Sequence, residues 1–254
     1  MSGQIRGAGH FWLAWLVVAI QLCAWPAATR AQDVTNEYRL TAYPSYRLAE
    51  EWIGFGYVGV VAKPEGHYSS YYLGKGAFYT PEKWLQLWAG LIGVYTNSTV
   101  ASNSLELRPF VGIKFIDMTE SLKWRYFNWT RYELRLIDTL ETSSWKSISR
   151  IRSQFRLEIP LATAERAWTP KTWYVFPEVE PVWRSDTGQI DPLRVRFALG
   201  YIATPRLLVE FQYYLEFTQP SGSGLEWTNN IWRLNFKVST DQSALRLLAG
   251  GFDD

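Results

Sequence analysis

The chain has 254 residues, enough for one large domain, and a formal net charge of +2 that gives no bulk electrostatic case for nucleic acid. Apolar residues make up an ordinary 47%, but aromatic residues reach 17%, with 14 Trp and 15 Tyr. Rings with a polar handle gather where one end is apolar and the other wet, so this many exceed what a soluble core readily accounts for.

The N-terminal stretch has the pattern of an export signal. Arg6 precedes the apolar run Phe11–Trp25, and Thr29 and Ala31 are small residues before an expected cut at Gln32. Such a run is short for a helix that spans a bilayer, which favours cleavage over anchoring. The expected division is residues 1–31 as signal peptide and residues 32–254 as one barrel domain. Leu22 stands before Cys23 where a lipoprotein signal has a small residue. Cys23 is the only cysteine, so the cleaved chain would hold no disulfide, thiolate metal site or cysteine nucleophile.

Beyond residue 32 the longest apolar run, Trp84–Tyr95, contains Gln86 and two glycines and falls short of a membrane helix. A membrane location therefore requires a closed barrel, because only helices and closed barrels satisfy their backbone groups in lipid. Period-2 alternation predicts an all-β, antiparallel transmembrane β-barrel of about twelve strands (10–12). They are placed at 36–47, 51–62, 68–79, 83–96, 103–116, 122–138, 145–160, 171–184, 192–203, 206–218, 227–239 and 243–250. Turn signals such as KPEG, NSTVASN, RSDTGQID and QPSGSG separate them. The shorter connections fall mainly after odd-numbered strands.

The alternation is clearest from the fifth strand onward. There Leu105, Leu107, Val111, Ile113 and Phe115 share one face, and Glu106, Arg108 and Lys114 the other. In the sixth, Tyr132, Leu134 and Leu136 oppose Arg131, Glu133 and Arg135. The seventh, RIRSQFRLEIPL, interleaves Arg150, Arg152, Gln154, Arg156 and Glu158 with Ile151, Phe155, Leu157 and Ile159. The eighth puts Glu178 and Glu180 on one face, but Pro177 and Pro181 fall inside it. Each proline removes a ladder donor, so this strand should be bulged, broken or locally unpaired. In the ninth, Arg194 and Arg196 oppose Leu193, Val195, Phe197, Leu199 and Tyr201. The tenth sets Glu210, Gln212 and Glu216 against Val209, Phe211, Tyr213, Leu215 and Phe217. The eleventh sets Arg233, Asn235 and Lys237 against Trp232, Leu234, Phe236 and Val238.

A soluble periplasmic barrel binding an apolar ligand would also alternate, with its apolar face inward. Here that face is bulky and aromatic in nearly every strand, which would overfill a small interior, whereas lipid sets no such limit. Trp145, Trp173, Trp183 and Trp232 share its parity, as an interfacial girdle would; Trp129 does not. An Arg on the lipid face costs about 2–4 kcal/mol at the midplane, so a one-residue slip that exposed Arg152 and Arg156 is strongly opposed. The charged residues of strands five to eleven named above, Lys114 aside, are thus the candidate lumen lining, from Glu106 to Lys237. Both signs are interleaved, which fits either an ion-pair network filling a narrow barrel or a wet, slightly basic pore.

The succession ELRPFVGIKF, WTRYELRLI, SRIRSQFRLEIPL, FPEVEPVW and LRVRFALGYIATPRLLVEFQYYLEF resembles a bacterial family of uncharacterised outer-membrane β-barrel proteins, classed as a domain of unknown function. The shared elements are E-x-R, R-x-R-x-x-x-R-x-x-x-P and R-x-x-x-G-Y, and the likeness covers most of residues 36–239. It implies a Gram-negative outer membrane, with surrounding lipid and the barrel-assembly machinery as partners, and no established activity. The C-terminus departs from barrel custom: NFKVS is followed by TDQSALRLLAGGFDD, and Phe252 is not terminal.

A lipid-modifying barrel enzyme is the alternative. Its general base would be His67, the one histidine beyond the signal, with Ser69 or Ser70 as nucleophile and Glu65 orienting the imidazole. A loop histidine beside polar turn residues is the plainer account. Glu178 and Glu180 could hold a divalent cation, though pairing with arginines is simpler. There is no G-x-S-x-G and no phosphate-binding glycine loop. The expectation is a structural protein or small-solute pore, not an enzyme, with no cofactor and no metal.

Overall fold

The computed structural model describes residues 34–219 and 224–240. The expected signal peptide, its expected cut and the strand expected at 243–250 lie outside the described residues. Within them the chain is all β: β1 Thr35–Arg47, β2 Trp52–Lys63, β3 Tyr68–Glu82, β4 Leu85–Ser98, β5 Ser104–Met118, β6 Arg125–Thr139, β7 Ser144–Pro160, β8 Thr172–Arg184, β9 Gln189–Thr204, β10 Leu207–Thr218 and β11 Glu226–Ser239.

Successive strands pair antiparallel, and β1 pairs with β11 in parallel to close the barrel. The count is eleven, inside the expected range and one below the twelve strands placed. An odd number makes the first and last strands run the same way, so the closing seam is the one parallel pair. It runs in register from Thr35↔Asn229 to Ser45↔Ser239. Side chains add to it: the Thr35 hydroxyl donates to Asn229 Oδ1 at 3.1 Å, and the Thr41 hydroxyl donates to Asn235 Oδ1.

The chain therefore enters at one rim, ahead of Thr35, and leaves at the other, after Ser239. We call these the upper and lower rims. Connections 64–67, 99–103, 140–143 and 185–188, with residues 219 and 224–225, lie at the upper rim; 48–51, 83–84, 119–124, 161–171 and 205–206 lie at the lower. The longest of these follows an odd-numbered strand, so the lower rim carries both the tightest turns and the largest excursion.

Prolines leave a consistent mark on the ladders, since each lacks an N–H. The β1–β2 pairing skips the rungs beside Pro44, and β5–β6 skips those beside Pro109. The β7–β8 seam breaks twice. Pairing jumps from Arg152↔Val182 to Phe155↔Val179, then from Arg156↔Glu178 to Ile159↔Val175, and Pro181 and Pro177 sit in the two gaps.

The faces are inverted relative to a soluble barrel. Outward side chains are large, apolar and open: Leu73 is 70% exposed, Val111 57% and Phe197 54%. Inward carboxylates are sealed, Glu133 and Glu210 both at 0%. Lys75 is a charged exception on the outward face, midway along β3, where a four-carbon stem lets the ammonium reach toward a rim. Outward Trp145, Trp183 and Trp227 sit toward the upper rim, and Trp52, Trp84 and Trp173 toward the lower. Ring contacts reinforce the lower set: Trp52–Tyr79 and Trp84–Phe115 stack with centroids 5.0 and 6.1 Å apart, and Trp173–Tyr201 meet tilted at 4.4 Å. Trp173 and Trp183 bound β8 at its two ends. Ten residues rise about 33 Å along a strand, or about 23 Å when tilted near 45°.

Trp129 departs from the outward tryptophans because it belongs to the interior. It packs against Trp88, centroids 5.1 Å apart, beside a cluster of Ile53, Phe55, Phe78, Trp88 and Phe110. One side of the lumen, β2 to β6, is therefore aromatic. Near the lower rim Ile116, Phe127, Tyr174, Phe176, Ile202 and Leu208 are all buried and fill the bore. Connection 161–171 sends Trp168 against them. Its indole N–H donates to the Lys123 carbonyl at 2.8 Å, the Arg125 guanidinium lies 3.3 Å from its ring centre, and Tyr174 stands 5.3 Å away. Tyr174 lies flat over Gly200, where an added Cβ would come within 2.1 Å of the ring.

Candidate functional site

The charged side chains of β5 to β11 meet inside the barrel because strict alternation sends each to the same face. Glu106 accepts from Arg108 at 2.8 Å and from Arg135 at 2.6 Å. Glu133 is shared by Arg131 at 2.6 Å, Arg152 at 3.3 Å and Arg150. Glu180 takes Arg152 at 2.5 Å and Arg194 at 2.9 Å, and Arg194 also reaches Glu216 at 2.7 Å. Glu178 is held by Arg156 at 2.6 Å and Arg196 at 2.9 Å. Glu158 pairs with Arg125 at 2.7 Å and Arg156 at 3.2 Å. Glu210 binds Lys237 and the Tyr174 hydroxyl, both at 2.7 Å. Arg233 has hydroxyl partners instead: Thr41 at 3.1 Å, Tyr214 at 3.0 Å, and Tyr43.

All seventeen candidate residues thus sit in one connected interior, and nearly all join through shared carboxylates. Glu178 and Glu180 are each engaged by guanidinium groups. A buried carboxylate loses several kcal/mol of hydration, so multiple charge-assisted bonds per group are the condition for burying it at all.

The network does not fill the barrel. Above the apolar floor lies a cavity of about 680 Å³, reaching from Lys114, Phe127 and Arg156 up to connections 64–67 and 99–103 at the upper rim. No residue of the lower-rim connections lines it. Thirteen basic side chains and five carboxylates line it. The imbalance has a geometric origin. Glu133, Glu158, Glu178 and Glu180 lie behind their arginines against the wall and do not reach the cavity surface. The opposite wall is aromatic, with Phe55, Trp88, Phe110 and Trp129. A pocket with a cationic side and an aromatic side, open at one rim, suits an anion that carries a flat apolar body.

Several interior charges were outside the candidate set. Glu37 and Arg39 on β1 follow the same alternation, in NEYRLTAY, and pair with each other. Arg125 shares the parity of Arg131, and Lys114 that of Arg108. Parity alone finds these four. The aromatic wall was less visible, because glycines interrupt the alternation of β2 to β4.

His67 closes the upper-rim turn 64–67 with a positive φ of 52°. Its carbonyl accepts from the Thr99 N–H at 3.0 Å. Glu65 is occupied by Asn36, whose Nδ2 donates at 3.1 Å, and the Ser70 hydroxyl bonds Thr96 at 2.8 Å. Among the described residues no hydrogen bond joins the imidazole to Ser69, Ser70 or Glu65, so the serine–histidine–carboxylate arrangement is not assembled.

No curated protein and no solved structure matches the chain. A family model described as a protein of unknown function, DUF2490, matches residues 23–227. Those residues carry β1 to β10 and most of the interior network, and the chain belongs to that DUF2490 family.

Proposed function

We propose that this chain is an exported outer-membrane β-barrel of a Gram-negative bacterium whose lumen is a blind, cationic pocket that binds small anions and does not conduct them. The location is supported by the inverted faces and by tryptophans at both rims, which about ten residues of tilted strand set roughly 23 Å apart, close to an outer-membrane apolar band. Surrounding lipid and the barrel-assembly machinery are then its partners.

The observation that carries the binding role is the cavity itself, with its excess of basic side chains and a floor packed shut by Phe127, Tyr174, Phe176 and Trp168. An ion-pair network and a basic pore were both compatible with the alternation. The geometry favours a combination, a network that presents arginines to a pocket closed below.

The test is paired. Residues 32–254, refolded, are placed in a planar bilayer, and in detergent they are titrated calorimetrically with phenyl phosphate. The expected result is no steady conductance and saturable binding that weakens as salt rises. Steady anion current, or no binding by a folded chain, overturns the proposal.

A further inference from the structure

Lys114 differs from every other basic residue of the cavity. It is 4% exposed, on β5 close to the floor, and lines the cavity. Among the described residues its ammonium has no carboxylate partner and no hydrogen bond. Its contacts are the faces of aromatic rings, Phe127 at 4.2 Å and Trp88 at 6.0 Å. The charges that act on it from other strands are Glu158, Lys237, Arg156 and Arg125, three cations and one anion. Glu158 is already spent on Arg125 and Arg156.

A buried ammonium with three donors and no acceptor is costly, and cation–π contact recovers only part of the lost hydration. The neighbourhood is short of one negative charge, at the deepest point that a molecule entering from the upper rim can reach. Around that point stand rings: Phe127 beneath the ammonium, Trp88 beside it, and Trp129 tilted against Trp88 with the Arg131 guanidinium 4.5 Å from its centre.

We propose that Lys114 is the anchor of a ligand site at the base of the lumen. The site takes an aromatic or similarly flat apolar molecule bearing one phosphate or carboxylate group. This rests on the anion-binding reading of the lumen and names its ligand class. The acid group sits on the Lys114 ammonium, within the field of Arg156 and Lys237. The flat body lies against Trp88 and Trp129. The many arginines above, held by carboxylates or, for Arg233, by hydroxyls, guide the anion inward, and the lysine, which has neither, holds it.

The test uses the full mature chain in detergent, with phenyl phosphate, benzoate and inorganic phosphate as probes. Lys114→Met should weaken phenyl phosphate and benzoate by tenfold or more, and Lys114→Arg should recover most of the loss. Outward Lys75→Met should bind as the parent does. Phenyl phosphate should bind at least fivefold more tightly than inorganic phosphate. If the parent binds and Lys114→Met, still folded by heat-modified gel migration, binds equally well, the anchor assignment is overturned while the anionic lumen stands. Equal affinity for the two phosphates overturns the aromatic part. If the folded parent binds none of the probes, both readings fall.

Discussion

Arg152 donates to Glu180 at 2.5 Å across the β7–β8 seam, beside the rung that Pro181 removes. Arg156 and Glu178 make the same kind of bridge, at 2.6 Å, on the single rung pair between the two breaks. The seam has thus exchanged backbone hydrogen bonds for side-chain ion pairs on its inner surface. Glu180→Ala would take one of two carboxylates from each of the buried Arg152 and Arg194, leaving them Glu133 and Glu216. We expect a loss of about 3–5 kcal/mol, read from urea unfolding in detergent. A change below about 1 kcal/mol would mean that the seam does not depend on the bridge.

Val111 stands on the outward face of β5, opposite Ala89 and Tyr132. In water, Val→Arg at so open a position shifts stability by no more than about 0.5 kcal/mol. In a bilayer the same change costs about 2–4 kcal/mol at the midplane. Val111→Arg unfolded from lipid vesicles should show the larger cost.

Gly200 is fixed by Tyr174, whose ring occupies the space a Cβ would need. Gly200→Ala should displace that ring, loosen the hydroxyl bond to Glu210 and destabilise the barrel by about 1–3 kcal/mol. Pairing it with Tyr174→Ser should relieve the clash, so the two losses should fall short of additive. Additive losses in the double-mutant cycle would place the strain elsewhere.

Asp186, in the upper-rim turn, lies below the usual aspartate range because the Arg184 guanidinium donates to it, at 2.8 Å. A carboxyl lowered on folding lends stability above its unfolded value and loses it as pH falls through the folded one. The Arg184–Asp186 contact should therefore persist at neutral pH and open only below the ordinary aspartate range. Carbon chemical shifts of Asp186 across an acid titration check this, and Asp186→Asn should remove the transition.

Much of the fold was legible because alternation survives wherever strands carry long side chains. RIRSQFRLEIPL alone set the face of β7, and the two prolines of FPEVEPVW marked where its seam with β8 breaks. The parallel closure was not legible: it joins Thr35 to Asn229, nearly the whole chain apart, and no local pattern encodes that register. Trp129 read as an exception only because an outward girdle was the expected place for tryptophan; its parity with Arg131 was the true signal. The interior charges were readable one by one. That carboxylates recede to the wall while arginines face the cavity depends on side-chain length and packing across strands, which alternation does not carry.

The central claim, a lumen open at one rim and shut at the other, is tested most directly by one-sided thiol labelling. With Cys23 removed alongside residues 1–31, a single Thr96→Cys places the reactive group on the cavity lining. In vesicles holding the barrel in one orientation, a membrane-impermeant reagent should label Cys from one side of the bilayer and not from the other. Equal labelling from both sides would mean that the floor at Phe127 and Trp168 is not closed, and that the barrel is a pore.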